Sequence, residues 1–163
     1  MSAALTRLRS HLPAAVLSEH EQHGDATVVV AKGHLLEVLG FLREEAGLEF
    51  DMLSDLAAVD HAQRRDGERT PRFEVVYHLY SIAHNHRLRV KVGVDLDDCE
   101  VESAVGIWPA ANWMEREVFD LYGIRFSNHP DLRRILLYEE FEGHPLRKDY
   151  PKTRRQPLIG PLN

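Results

Sequence analysis

Residues 87–94 read Arg-Leu-Arg-Val-Lys-Val-Gly-Val, and they alternate without a break. Leu88, Val90, Val92 and Val94 fall on one side, and Arg87, Arg89 and Lys91 on the other. Successive side chains of an extended chain point to opposite faces, so this segment predicts a strand with one packed face and one wet face. A second strand, residues 73–81, precedes it, and residues 82–86 supply the turn between them. Such a hairpin needs a cover on one face only. That requirement points to helices on one side of a mostly antiparallel sheet, an α+β architecture.

The flanking sequence supplies the cover. Residues 27–31 form a β-branched run, predicted as a buried strand. After Gly33, Leu35, Leu36, Val38, Leu39 and Leu42 recur at helical spacing, with Glu37, Arg43, Glu44 and Glu45 facing outward and Gly47 ending the run. A strand followed by a crossover helix results. Leu5, Leu8, Leu12 and Val16 predict a further short helix within residues 3–20. Residues 50–60 are ambiguous: Met52, Leu53, Leu56 and Val59 suit a helix, whereas residues 56–59 suit a strand. Residues 61–71 read as a charged loop, and residues 101–108 as a third strand stopped by Pro109. With 163 residues there is room for one ordinary domain. We divide it into an α+β core over 1–124 and an extended C-terminal arm over 125–163, because Pro130, Pro145, Pro151, Pro157 and Pro161 block long helices there.

Composition excludes several chemistries. The one cysteine, Cys99, cannot build a disulfide framework, a zinc finger of cysteine pairs or a cysteine-ligated iron–sulfur cluster. Its neighbours Asp97, Asp98 and Glu100 predict a raised thiol pKa. No apolar run reaches the ~20 residues of a membrane helix. The N-terminus lacks the apolar stretch of a signal peptide, which predicts a cytoplasmic address. Residues 1–112 carry 11 basic and 18 acidic groups, but residues 113–163 carry 9 and 8. The net charge of −6 argues against nucleic-acid binding, and the acids interleaved with Arg133, Arg134, Arg147 and Lys148 suit a protein interface better. Arginine outnumbers lysine 16 to 4, which suits paired interface contacts and equally fits a genome's composition bias. Neither G-x-G-x-x-G nor G-x-x-x-x-G-K-[ST] occurs.

The informative segment begins at residue 112. Residues 112–122 predict a short helix capped by Asn112, with Glu115 in a capping-box position and Gly123 in the left-handed position after its end. Met114, Val118, Leu121 and Tyr122 make its apolar stripe, and Arg116 and Asp120 are spaced as an i,i+4 pair. Glu115 and Glu117 point to different faces, which argues against a two-carboxylate catalytic site. Trp108 and Trp113 are expected to anchor packing. Two His-Pro pairs follow, His129-Pro130 and His144-Pro145, each succeeded by paired basic residues. No cysteine stands near either histidine, so backbone hydrogen bonding at tight turns is preferred over metal ligation.

The stretch from Trp113 to Leu136 resembles the 30-kilodalton subunit family of respiratory complex I, the bacterial NADH–quinone oxidoreductase. The pattern Trp-x-Glu-Arg-Glu-x-x-Asp, then Gly-Ile, then His-Pro-x-Leu-x-Arg-Ile-Leu is filled throughout. A second block is matched by Gly143, Pro145, Leu146, Arg147, Lys148, Asp149 and Tyr150. The resemblance implies a scaffold subunit of the peripheral arm, with no catalytic residue, cofactor or metal of its own. FMN, iron–sulfur clusters and quinone would belong to the assembled complex, a proton-translocating oxidoreductase on the cytoplasmic face of the inner membrane. The implied partners are chiefly the 49-kilodalton (49 kDa) quinone-site subunit and adjacent iron–sulfur subunits. Residues implied in interface or structure are Trp113, Glu115, Arg116, Glu117, Asp120, Gly123, His129, Pro130, Arg133, Arg134, His144, Pro145, Arg147, Lys148 and Asp149. The alternative is the equivalent subunit of a membrane-bound nickel–iron hydrogenase, whose large partner would carry two Cys-x-x-Cys pairs. A free-standing binding module or small hydrolase finds no motif in its favour.

Overall fold

A computed structural model describes residues 3–62, 71–157 and 159–160. The elements run α1 (Ala3–His11), β1 (Val16–Gln22), β2 (Asp25–Val30), α2 (Leu35–Glu44), β3 (Met52–Asp60), β4 (Phe73–Ser81), β5 (His86–Val94), β6 (Glu100–Glu102), α3 (Ala111–Tyr122) and β7 (Arg125–Ser127). Five strands form one sheet in the order β1-β2-β5-β4-β3, and β6 and β7 form a short parallel pair. Only β2 and β5 are parallel neighbours in the large sheet; its other pairings are antiparallel.

The β4–β5 hairpin is as the alternation predicts. Leu88, Val90, Val92 and Val94 are buried, and their partners Leu79, Tyr77, Val75 and Phe73 line the same face. That face is covered by Leu5 and Leu8 of α1, Leu35, Val38, Leu39 and Leu42 of α2, and Ala111 and Val118 of α3, in one continuous core. Arg87, Arg89 and Lys91 stay on the uncovered face.

Two expectations require correction, and one ambiguity is resolved. The first helix ends at His11, not at residue 20. Pro13 cannot continue it, and residues 16–22 pair with β2 across a two-residue turn at His23 and Gly24. Both turn residues have positive φ (56° and 86°), the geometry that matches strand twist in a tight hairpin. Of the ambiguous residues 50–60, Met52–Asp60 form a strand. A bulge between Leu53 and Asp55 shifts the register, so the buried positions run Leu53, Leu56, Ala58, Asp60. The strand expected over 101–108 lasts only to Glu102. Beyond it Ala104 donates to Glu115, Val105 donates to the Ser103 hydroxyl, and Ile107 and Trp108 turn back onto the Ala104 carbonyl. With its donors engaged in this way, the segment cannot extend a ladder. The charged loop expected over 61–71 lies mostly outside the described residues.

Candidate functional site

The site is built where α3, the end of β3 and the segment after β7 meet. α3 starts at Ala111 and has no side-chain cap, so Asn112 does not cap it and Glu115 does not close a capping box. Its C-terminus is as expected. Gly123 takes φ 73° and donates to the Phe119 carbonyl at 2.8 Å. A Cβ there would meet His144 Nε2 at 2.5 Å, so glycine is required by space as well as by φ.

The buried side of α3 holds two carboxylates as well as apolar groups. Asp120 does not pair with Arg116. One of its oxygens, Oδ1, takes Arg134 at 2.9 Å, and Oδ2 accepts the backbone N–H groups of Ile135, Leu136 and Leu137 at 3.1, 2.8 and 2.8 Å. Burial alone would raise the Asp120 pKa, but these four donors outweigh it and hold the carboxyl below its ordinary value. Arg116 instead donates to the carbonyls of Arg133 and Arg134. One helix turn thus grips residues 133–137 from both sides.

The second signature block is held just as closely. His144 Nδ1 donates to the Asp120 carbonyl at 2.9 Å, Leu146 donates to Leu121, and Arg147 donates to Tyr122 while lying 5.2 Å over the Phe73 ring. At the end of β3, Asp60 accepts the Lys148 N–H at 2.8 Å and pairs with Arg72, which also reaches Asp149 at 2.7 Å. Burial works against the Asp60 charge, yet Arg72 and the Lys148 and Ala62 N–H groups hold its pKa low. Residues 138–157 close on themselves. Phe141 stacks on Tyr150, Gln156 donates to the Glu142 carbonyl and Tyr138 donates to Pro157. No helix or strand follows β7 among the described residues, and the lack of a long helix is as the prolines predict. Residues 128–150 nevertheless lie against this chain's own α3, β3 and β4.

Glu115 is a third, sealed carboxylate. It accepts the Ser103 hydroxyl at 2.6 Å and the Ala104 N–H at 2.7 Å. Burial outweighs both donors and pushes its pKa up from 4.5 to about 7. Beside it, His129 donates from Nε2 to the Asn112 carbonyl at 3.1 Å and accepts the Asp131 N–H at Nδ1. Both histidines of the His-Pro pairs therefore bond backbone, as expected.

The proposed site residues separate into two groups. Glu115, Arg116, Asp120, Gly123, His129, Arg134, His144, Pro145 and Arg147 are buried or half-buried and converge. Glu117, Pro130, Arg133, Lys148 and Asp149 face solvent, with Arg133 paired only to Asp131 and Lys148 engaged through its backbone. Trp108 anchors packing, its indole donating to Phe50. Trp113 does not: it is 70% exposed. Cys99 has a raised pKa, as expected, but burial is the main cause, and nearby Arg147, Arg72 and Lys32 oppose it. Sequence reasoning missed Asp60, Arg72 and Ser103. Asp60 had a signal, since it occupies an inward position two residues after Ala58.

The comparisons with known proteins identify the family. The family model of the respiratory-chain NADH dehydrogenase 30 kDa subunit matches residues 28–156, which include every residue of the two clamps. The chain belongs to that family. It is 44% identical over 162 residues to the corresponding NADH-quinone oxidoreductase subunit of Geobacter sulfurreducens, covering 98% of this chain and 96% of that protein. It is 46% identical to the counterpart from Trichlorobacter lovleyi, with the same coverage of both chains. Among solved structures it is similar to the trypsin-resistant fragment (1–134) of Nqo5, with TM-score 0.68, 29% identity, and coverage of 79% of this chain and 99% of that one. A chain of an archaeal membrane-bound sulfane sulfur reductase shares the fold, with TM-score 0.74, 23% identity, and coverage of 91% and 84%.

Proposed function

We propose that this chain is a non-catalytic scaffold subunit of the peripheral arm of a proton-translocating NADH–quinone oxidoreductase. In this reading it buttresses the 49-kilodalton quinone-site protein and adjacent iron–sulfur subunits on the cytoplasmic face of the inner membrane. The observation that carries the reading is how the signature residues are used. Asp120, Arg134, His144 and Arg147 are engaged in fixing residues 133–148 on α3. A groove of about 560 Å³ does lie on the uncovered sheet face, lined by Asp25, Asp55, His78, Arg87 and Arg89 among others, and none of the signature residues lines it.

The donor set does not suit a cluster: the single thiol, Cys99, lies 3.6 Å from the Gly123 carbonyl. The iron–sulfur clusters are therefore assigned to other subunits, and the family resemblance assigns FMN and quinone to them as well. No described helix is long and apolar enough to cross a membrane, which agrees with attachment through partners. Outward from these contacts, Trp113, Leu136 and Leu146 are exposed, as are Glu117, Arg133 and Lys148. Exposed aromatic and aliphatic anchors among charged groups are the composition of a protein interface. The description of the Nqo5 fragment as trypsin-resistant supports a core that stands as a unit.

Affinity purification of the tagged chain from its native membranes tests the reading. A quinone-site subunit and iron–sulfur subunits should co-purify stoichiometrically. A large partner with two Cys-x-x-Cys pairs would instead indicate a nickel–iron hydrogenase, and recovery of the chain alone would overturn the assignment.

A further inference from the structure

Glu115 has a neighbourhood that the clamps do not require. Its carboxylate is fully enclosed, and the two groups that hydrogen-bond to it, the Ser103 hydroxyl and the Ala104 N–H, are neutral. From β4 the Tyr77 hydroxyl is buried nearby with no hydrogen-bond partner among the described residues, and burial keeps it protonated. From the turn after β7, His129 Nε2 lies 3.9 Å from Glu115 Oε2, and the imidazole is itself sealed from solvent. Both ring nitrogens of His129 are committed, one to the Asn112 carbonyl and one to the Asp131 N–H. No Arg or Lys pairs with Glu115 among the described residues. A carboxylate in such a place is stable as the neutral acid and costly as the anion unless water reaches it. The cover most easily moved is the His129 turn, since Asn128, Pro130 and Asp131 on its outer side are exposed.

We propose that Glu115 is a proton-binding site linked to closure of the His129 turn: it holds a proton while the imidazole covers it, and it ionises as the turn opens and admits water. The proton resides on a Glu115 carboxyl oxygen in the closed state and passes to solvent in the open one. The turn leads directly into residues 134–137, which Asp120 captures, so proton uptake presets the segment that the candidate interface presents. The rise of the Glu115 pKa to about 7 agrees with this geometry.

Carboxyl-selective NMR on the full chain from pH 4 to 9 tests the proposal. Glu115 should titrate with a midpoint between 6 and 8, and the Asp131 amide signal should move with the same midpoint. His129→Ala removes the cover and should lower the Glu115 midpoint by a unit or more. Ser103→Ala removes a donor that favours the anion and should raise it. Glu115→Gln should abolish the movement of Asp131. A Glu115 midpoint near 4.5 in the wild type overturns the proposal. So does an unchanged midpoint in His129→Ala, and this arm needs no Glu115 variant to fold.

Discussion

Asp120 is the residue on which the most contacts of the site depend. Its carboxylate satisfies three consecutive backbone N–H groups and a guanidinium from a segment with no secondary structure of its own. Asp120→Ala leaves Arg134 half-buried without its carboxylate partner and three amide donors orphaned. Breaking such a pair by removing one side costs ~3–5 kcal/mol. Native-state hydrogen exchange at Ile135, Leu136 and Leu137 should accelerate by about 100-fold or more, at ~1.4 kcal/mol per tenfold, while β4 and β5 change little. Exchange at these amides that is fast already in the wild type would show the clamp to be unformed in the free chain. Gly123→Ala meets two obstacles, a left-handed φ and the His144 and Arg147 side chains. The conformational cost alone is about 1–2 kcal/mol. Loss of thermal stability in Gly123→Ala should accordingly exceed that of Gly40→Ala, a helical position where a Cβ meets nothing within 4 Å.

At the scale of elements, α3 and the end of β3 act as two jaws, each closed on a carboxylate that acid would neutralise. Asp120 and Asp60 both have folded pKa values below their ordinary 3.8. Their contribution is fully present above 3.8 and is lost as pH falls through the lower folded values. The 133–150 segment should therefore detach as pH falls below 3.8, seen as loss of protection at Ile135–Leu137 and at the Lys148 amide. Asp120→Asn should remove the acid transition at the first jaw and leave that at Lys148. Glu115 acts with the opposite sign. A carboxyl raised from 4.5 to about 7 makes stability fall as pH rises between those values and then level off. Chemical denaturation at pH 5 and pH 8 should show higher stability at pH 5, and Glu115→Gln should flatten the difference. The α3 cap is also an element-scale lesson. Asn112 and Glu115 carry the spacing of a capping box, but the Glu115 side chain is drawn to Ser103 and Ala104 because their donors are buried and would otherwise lack acceptors.

At the scale of the molecule, the sheet and its helices make a rigid base, and the segment after β7 is laid across one end of it. The surface so formed predicts assembly defects without catalytic ones. Trp113→Asp changes a side chain that is 70% exposed and should leave the isolated chain's melting temperature within about 2 °C, because exposed substitutions cost within ±0.5 kcal/mol. It should lower the amount of assembled complex while turnover per assembled complex stays normal. Full assembly with collapsed quinone reduction would place this face on the reaction path and refute the scaffold reading. Much of this was written locally in the chain. The unbroken alternation of residues 87–94 determined a half-wet strand, the leucine spacing of 35–42 a covering helix, Gly123 a helix end, and the prolines after residue 129 the lack of further helices. Signature spacing from Trp113 to Tyr150 determined the family. Local pattern failed where one residue altered the period or a distant group took the donors. The bulge at Leu53–Asp55 gave a strand the three-residue spacing of a helix. Two positive φ values at His23 and Gly24 turned a would-be helix into a hairpin. Glu115 ended β6 by capturing Ala104, 11 residues away. Which acid pairs with which base was decided only by the tertiary structure. Asp120 prefers Arg134, 14 residues on, to Arg116 on its own helix, because that choice also satisfies three buried amides that no i,i+4 contact could reach.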